Sequence, residues 1–451
     1  MDARARRRGT PHGDSPLPPL TLPDSVRAAL DRRLDPASSA PLAVAFSGGG
    51  DSLALLLAAR DWAVEAGRPV LALTVDHRLQ PQSRAWTLQA EQTAARLCVQ
   101  FRALAWEGPK PDRGLAAAAR RARHALLAEA AREAGARAVL MGHTLDDLFE
   151  GEVMRAEGSG LGIPREWSPS PVWPQGRDVF LLRPLLGVRR AELRTALAPT
   201  GLAWIEDPAN EDLRFARSRA RVILSTAHPR DRFAVAGMSG RLEAMCERAE
   251  ADPFGVIRIA REVLAAADDA AARRFLAAAC LCAGGGERPP RPERVERLRL
   301  ALSEGGPVVA SLAGARVEAD GETVTILRNA GEAARGGLAP LHLQAGETGM
   351  FDGRFEVRAA AAVRVLPLKG SARRLPPGDR ARLRDVPAAA RPGLPMIEHG
   401  QTVTCPLLQE RPSALVRCLV GVRLRSACGL FDREALIGGR ADGEGADGAL
   451  S

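Results

Sequence analysis

Residues 47–52 carry the side chains best suited to chemistry, in the run Ser-Gly-Gly-Gly-Asp-Ser. An apolar run at 42–46 precedes them and a helix-like segment at 53–65 follows, so the run joins a strand to a helix. Glycines at such a junction let backbone N–H groups approach an anion, and the helix N-terminus adds the positive end of its dipole. The sequence therefore predicts a phosphate cradle that consists of Ser47, Gly48, Gly49, Gly50, Asp51 and Ser52.

Three other glycine-rich motifs do not fit this run. The phosphate loop of common nucleoside triphosphatases needs a lysine, and none is present. A hydrolase nucleophile elbow needs a glycine where Ala45 stands, and the dinucleotide-binding pattern G-x-G-x-x-G also fails. The remaining pattern, S-G-G-x-D-S, resembles the PP-loop signature of enzymes that cleave ATP between its α- and β-phosphates. The resemblance implies that the loop holds the departing pyrophosphate.

Two later apolar runs also end in polar residues. Asp76 and His77 follow the run at 70–75, and Asp146 and Asp147 come soon after the run at 138–141. Paired carboxylates beside a triphosphate can hold magnesium. Without context, however, Asp76 and His77 would be ordinary loop residues, and Thr144 or Asp146 could simply cap a helix.

Arginines recur at spacings that could serve the same site. Arg120 and Arg123 are three residues apart in the helix-like segment 115–133, so they share a face and could bind phosphate or carboxylate in forked geometry. A second set accompanies acidic residues: Glu206, Asp207, Asp212, Arg217, Arg219 and Arg221. Either set could instead be a solvated surface, with salt bridges that contribute little.

Taken together, the motifs resemble the tRNA(Ile)-lysidine synthetases over most of residues 40–330. The matching segments are T-V-D-H-R-L-Q-P-Q-S at 74–83, A-R-R-A-R-H at 119–124, G-H-T-L-D-D-L-F-E at 142–150, R-P-L-L at 183–186, and W-I-E-D-P-A-N at 204–210 with its continuation to Arg221. The chain departs from the family pattern at Gln80, His124 and Gly151, where arginine, tyrosine and threonine are usual.

The resemblance implies a reaction and a set of partners. ATP would adenylate the C2 carbonyl oxygen of the wobble cytidine in an isoleucine tRNA with a CAU anticodon, and L-lysine would then displace AMP to leave lysidine. Nucleotide binding is expected at Ser47–Ser52, Asp76 and His77; catalysis at Asp51, Arg120, Asp147, Arg217 and Arg219; and Mg²⁺ binding at Asp51, Asp146 and Asp147. The sequence leaves open whether two chains form a homodimer.

Other functions remain possible on the residues alone. Another PP-loop enzyme could thiolate a tRNA base, although sulfur transfer usually uses C-x-x-C pairs and none is present. An amide-forming ligase would ordinarily bring a glutaminase segment, which is not recognisable. A catalytically inactive tRNA-binding protein would not need the intact Ser47, Asp51, Asp146 and Asp147.

Strands and helices alternate from residue 42 to residue 182, which predicts an α/β fold with a parallel sheet that binds ligands at the carboxyl ends of its strands. The resemblance identifies this sheet with the PP-loop ATPase domain, of the adenine nucleotide alpha hydrolase-like type. The expected organisation is a flexible basic tail at 1–38, the PP-loop domain at 39–229, a helical tRNA-recognition domain at 230–335, a small β or α+β domain at 336–437 and a disordered tail at 438–451.

Composition agrees with an anionic partner. The net charge of +9 comes almost wholly from arginine, since Lys110 and Lys369 are the only lysines. The seven cysteines show no metal-binding or redox spacing, so we expect small buried side chains in a reducing cytosol. No apolar stretch reaches the ~18 residues of a membrane span, which favours a soluble cytoplasmic protein.

Overall fold

The computed structural model describes residues 20–159, 162–207, 216–226, 240–332, 338–410, 412 and 414–437, with only the backbone of 225 and 226. The first half of the predicted tail at 1–38, the tail at 438–451, and Asn210 and Asp212 of the acidic motif lie outside these residues. No helix in the described ranges is long and apolar enough to cross a membrane.

The first sheet confirms the predicted α/β fold. Its strands are β1 (Leu42–Ala45), β2 (Val70–Asp76), β3 (Gln100–Ala105), β4 (Ala138–Leu140), β5 (Trp167–Pro169) and β6 (Phe180–Leu182). They lie in the order β3-β2-β1-β4-β6-β5, and all neighbours pair in parallel except β5 and β6. The chain order reverses between β1 and β4. A sheet of this type binds its ligand at that point, beyond the carboxyl ends of the strands.

Helices cover both faces of this sheet. They are α1 (Asp24–Arg33), α2 (Gly50–Ala66), α3 (Ser83–Arg96), α4 (Leu115–Glu133), α5 (Leu145–Ala156), α6 (Arg190–Leu197) and α7 (Ala216–Thr226). Because side chains alternate along a strand, Leu42 and Val44 pack with α1, α2 and α6, whereas Ala43 packs with α4 on the other face. Leu42, Ala43 and Val44 are all fully buried, which is typical of a central parallel strand that is covered on both faces.

The expected tail at 1–38 ends in a short helix, α1, which is packed rather than loose. Val26 and Leu30 share one face of this helix. They are buried with Leu34 in the hydrophobic core that also contains Leu42 and Val44 of β1. The indole Nε1 of Trp62 in α2 also donates a hydrogen bond of 2.8 Å to Asp31. Apolar spacing of four residues, placed after a proline-rich run, is enough to add this helix to the PP-loop unit.

The predicted helical domain at 230–335 is mixed. Its helices are α8 (Gly240–Glu247), α9 (Arg261–Ala266), α10 (Asp269–Ala283) and α11 (Pro292–Ser303). Its strands are β7 (Glu250–Ala251), β8 (Ile257–Ala260), β9 (Val308–Leu312), β10 (Ala315–Ala319) and β11 (Thr323–Arg328), in the antiparallel order β7-β8-β11-β10-β9. The expectation of a helical domain is thus incomplete: the helices pack on a five-stranded sheet, whose alternate residues such as Ile257, Val317 and Val324 face α10.

The C-terminal region is β-rich, as predicted. One sheet contains β12 (Leu341–Leu343), β15 (Val363–Pro367), β16 (Pro395–His399) and β17 (Thr402–Thr404). A second contains β13 (Thr348–Phe351), β14 (Phe355–Ala359) and β18 (Ala414–Cys418). The short helix α12 (Pro377–Arg382) lies between β15 and β16 in the chain. The last helix, α13 (Val420–Cys428), leaves these sheets and packs with α10 in the second core.

A buried ion pair joins the end of the chain to the PP-loop unit. Arg68 donates from both terminal nitrogens to Glu434, at 2.7 and 2.9 Å, and the two side chains are 1% and 3% exposed. The Glu434 carboxylate also accepts from the Asp35 backbone N–H at 3.0 Å. Removal of one partner from such a pair leaves an uncompensated buried charge.

We therefore expect Glu434→Gln to lower the free energy of unfolding of the PP-loop unit by about 3–5 kcal/mol. All six tryptophans lie between Trp62 and Trp204, so their fluorescence during urea denaturation reports on this unit. Glu133→Ala is the matched control, because it breaks an exposed pair with Arg102 (58% and 46% exposed) and should cost at most ~1 kcal/mol. Equal losses for the two variants would contradict the structural role of the buried pair.

Candidate active site

The glycine-rich loop lies between the end of β1 and the start of α2. Gly48 has a φ of +81°, and a Cβ there would lie 2.4 Å from Cδ1 of Ile205, so any other residue would strain the backbone and displace Ile205. The Ser52 hydroxyl donates to the Gly49 carbonyl at 2.8 Å and accepts from the Ser47 backbone N–H at 3.2 Å. These bonds fix the loop in the shape that leaves the first N–H groups of α2 available to an anion.

A cavity of about 890 Å³ opens beside this loop, at the carboxyl ends of β1, β2 and β4. The predicted residues that line it are Ser47, Gly49, Gly50, Asp51, Ser52, Asp76, His77, Asp147 and Arg217. Gly48, Arg120, Asp146 and Arg219 lie outside this lining. The parallel sheet therefore brings side chains from distant parts of the sequence to one edge, as its topology requires.

Ion pairs hold the acidic side of the site together. Arg190, the first residue of α6, donates to Asp51 at 2.9 Å and to Glu150 at 3.1 Å. Glu150 also forms ion pairs with Arg217 at 3.2 Å and with Arg221 at 2.7 Å. Its side chain is only 1% exposed. We refer to these contacts as the Glu150 network; it attaches α6 and α7 to α5.

The two adjacent aspartates of α5 have different surroundings. Thr144 caps the helix, and Asp147 Oδ2 accepts from its backbone N–H at 2.8 Å and from its hydroxyl at 3.0 Å. Asp146 accepts from the Arg190 backbone N–H at 2.7 Å and lies 3.3 Å from Arg189. Asp146 therefore anchors the start of α6, whereas Asp147 reaches the cavity.

The protonation of the cavity carboxylates depends on their partners. Burial raises the pKa of Asp51 by more than the Arg190 guanidinium lowers it. Burial also raises the pKa of Asp147, but Arg217, His143, the Thr144 hydrogen bond and Arg190 together lower it by more, so its pKa lies below the usual range.

The described residues contain no group of three or more His, Cys, Asp or Glu side chains that could hold a metal. Mg²⁺ on a nucleotide usually needs only one or two carboxylates, because phosphate oxygens and water complete its coordination. Asp51 and Asp147 are the two predicted ligands that reach the cavity. They fit this requirement better than Asp146, whose contacts tie it to the start of α6.

Arg123 is a cation without a partner among the described residues. It lines the cavity from α4, its Nε is buried without a hydrogen bond, and it forms no ion pair with a described residue. Burial, together with Arg120 and Arg217, lowers its pKa to about 10, so it still carries its charge. An uncompensated guanidinium at a cavity wall indicates that the ligand supplies an anion.

Helix geometry separates the three arginines of α7. Residues four apart share a helix face, and Arg217 and Arg221 line the cavity together with Ser218 and Val222. Arg219 is about 200° around the helix from Arg217 and is exposed. The expectation that Arg219 takes part in catalysis is therefore not supported by its position, and Arg221 takes the position facing the site.

Several residues of this site were not predicted as functional. Arg190 has no motif of its own, and only the structure shows its pairing with Asp51, 139 positions away. Trp204 and Ile205, by contrast, belong to the recognised motif at 204–210, and they cover the loop: the Ile205 backbone N–H donates to the Gly48 carbonyl at 2.8 Å. His143 and Glu150 stood inside a recognised motif but received no role.

Comparisons with known proteins agree with this geometry. Residues 23–227 match the family described as PP-loop domain. A protein of Caulobacter vibrioides named tRNA(Ile)-lysidine synthase is 52% identical over 423 residues, which cover 92% of this chain and 99% of that one. A protein of Methylobacterium nodulans with the same name is 37% identical over 319 residues, covering 66% and 93% of the two chains.

One solved structure shows a more distant similarity. The U34-tRNA thiolase NcsA from Methanococcus maripaludis, with its 4Fe-4S cluster, is 18% identical with a TM-score of 0.38, covering 46% of this chain and 74% of that one. A similarity at this distance says nothing about the reaction. The 52% identity to the Caulobacter protein, by contrast, extends over almost the whole of both chains and confirms the resemblance found in the motifs. This chain belongs to the tRNA(Ile)-lysidine synthase family.

Proposed function

We propose that the protein joins free L-lysine to C2 of the wobble cytidine in a CAU-anticodon isoleucine tRNA, with cleavage of ATP to AMP and pyrophosphate. As a member of its family it is an ATP-using ligase. The observation that carries the proposal is the loop at Ser47–Ser52, which opens at the start of α2 into a cavity lined by both acids and arginines. We place the reaction in the cytoplasm, where ATP, lysine and tRNA are all present.

In the first step the loop would hold the β- and γ-phosphates while the cytidine C2 oxygen attacks the α-phosphorus. The bond to the bridging oxygen breaks, and pyrophosphate leaves with its electron pair. Arg123, which lines the cavity, suits the charge on the α-phosphate, since it pairs with no described carboxylate. Asp76 and His77 lie at the end of β2, where the nucleoside would pack.

Mg²⁺, when bound, would be held by Asp51 and Asp147 and would neutralise charge on the phosphates. The protein's own cations act on the same charge. Arg217 and Arg221 are fixed by Glu150, so they do not have to reorganise during the reaction.

In the second step the lysine ε-amine would attack C2, AMP would leave with the C2 oxygen, and the amine would lose a proton. Glu206 and Asp207 also line the cavity, and their carboxylates would face the ammonium form of the incoming lysine; Glu206 is shared with Arg194 at 3.5 Å.

A thiolation reaction is less consistent with the site. The cavity lining in the described part of the chain contains no cysteine, and no C-x-x-C pair occurs in the sequence. A catalytically inactive RNA-binding protein would not need an unpaired arginine and a fixed phosphate loop on the same cavity.

The direct test is incubation with ATP, Mg²⁺, radiolabelled lysine and a panel of tRNA transcripts. We expect label only in the CAU-anticodon isoleucine transcript, with AMP and pyrophosphate formed in equal amounts. A matched transcript with a CAU anticodon in a methionine tRNA body is the control. If purified protein never yields AMP under these conditions, the proposed function is wrong.

The role of Arg123 can be separated from general helix effects. Arg123→Ala should lower kcat/KM by about 10²–10³-fold, because it removes a preorganised donor from the phosphate. Arg121→Ala, two residues away on the same helix, is the control; Arg121 is half-exposed and pairs with Glu287, so its loss should leave the rate unchanged. Similar rates for the two variants would argue against a phosphate contact.

The fit of the loop under Ile205 gives another prediction. Gly48→Ala should lower kcat/KM for ATP by about 10²-fold, since the methyl group displaces either the loop or its cover. Gly67→Ala is the control: Gly67 also has a positive φ, of +65°, but its Cβ position is open. It should cost about 1 kcal/mol of stability and leave the ATP kinetics intact.

A further inference from the structure

His143 lies next to the phosphate loop. It comes three residues after the end of β4. A Cβ atom added to the preceding residue, Gly142, would lie 3.3 Å from the backbone carbonyl carbon of Asp51. This close approach places the backbone that leads into His143 beside the start of α2. The side chain is largely buried and lines the cavity.

Arg183 determines which ring nitrogen of His143 carries the proton. Its Nε–H donates to His143 Nδ1 at 3.2 Å, and its Nη1 donates to the Arg165 carbonyl at 2.7 Å and to Ser168 Oγ at 3.0 Å. A guanidinium has donors and no acceptor, so Nδ1 must hold a lone pair. In a neutral imidazole the hydrogen is then on Nε2, which makes no hydrogen bond to a described residue.

The imidazole is also kept neutral. Burial and the Arg183 guanidinium lower the pKa of His143 to about 3, against a smaller opposing effect of Asp147. The pKa of Arg183 is lowered to about 10 by burial and by Arg120, so Arg183 remains a cation at neutral pH. His143 is thus suited to donate a hydrogen bond but not to transfer a proton.

We propose that His143 is a catalytic residue that donates from Nε2–H to a phosphate oxygen of the bound nucleotide, and that Arg183 is the positioning residue that fixes this tautomer. The role rests on the proposed nucleotide chemistry. A neutral donor in a fixed direction stabilises charge that develops on the phosphate chain, and no proton leaves the ring. His143 follows β4, whereas Arg123 belongs to α4, so the two donors reach the cavity from different elements.

The tautomer can be measured without any catalytic assay. In full-length protein labelled with ¹⁵N-histidine, we expect the signal lost in His143→Gln to show a pyridine-like Nδ1 and a pyrrole-like Nε2. Addition of a non-hydrolysable ATP analogue should shift the Nε2 signal. A protonated Nδ1, or an Nε2 signal that ignores the analogue, would overturn the proposal even if the enzyme proves to make lysidine.

Kinetics then test the contribution of the donor. His143→Ala should lower kcat for AMP formation by about 10²-fold with little change in the KM for ATP, and His143→Gln should recover most of the rate because its amide can donate from a similar place. His342→Gln, at an exposed position of β12, is the control. Unfolding curves exclude loss of fold. If His143→Ala is as fast as the parent, or a folded His143→Gln is as slow as His143→Ala, the donor role is wrong. If the parent makes no AMP, the proposed function fails, and the NMR result still decides the tautomer.

Discussion

The buried carboxylate of Glu150 is the charge on which the active-site arrangement depends. It accepts Arg190 from α6 and Arg217 and Arg221 from α7, while it belongs to α5 itself. Removal of a carboxylate from water costs several kcal/mol unless cations and hydrogen bonds replace the solvent. The three helices must therefore stay together, and the arginines at the cavity are held by an acid that does not line it.

The α4 side of the cavity has the opposite character. Within the described residues, Arg120, Arg123 and Arg183 form no ion pair with a carboxylate, and Arg183 is satisfied only by a carbonyl, a hydroxyl and an imidazole. Burial and mutual repulsion lower the pKa values of Arg123 and Arg183 to about 10. On the Glu150 side of the site, carboxylates and guanidinium groups pair with each other. On the α4 side, the described residues supply no anion for the arginines. A triphosphate placed on the loop would provide it, which makes the free protein preorganised for its substrate.

The sequence was sufficient for features that depend on neighbouring residues and insufficient for those that depend on distant ones. The loop at 47–52 and the polar ends of β2 and β4 follow from local pattern, and the parallel topology brings them together. The pairing of Arg190 with Asp51 and the separation of Arg219 from Arg221 depend on how α6 and α7 are placed, which no local pattern encodes. Likewise, β8 is too short to be told from a helical segment by periodicity, so the second unit was expected to be helical.

The three departures from the family pattern can now be compared by position. His124 and Gly151 lie outside the cavity lining; both ring nitrogens of His124 are buried without a partner, and burial beside Arg123 lowers its pKa to about 2, so it adds no charge behind the site. Gln80 does line the cavity, and its amide lies 3.5 Å from Asp207. An arginine there would neutralise this acid. The neutral amide therefore leaves one positive charge fewer on this side of the cavity than the arginine usual in the family would supply.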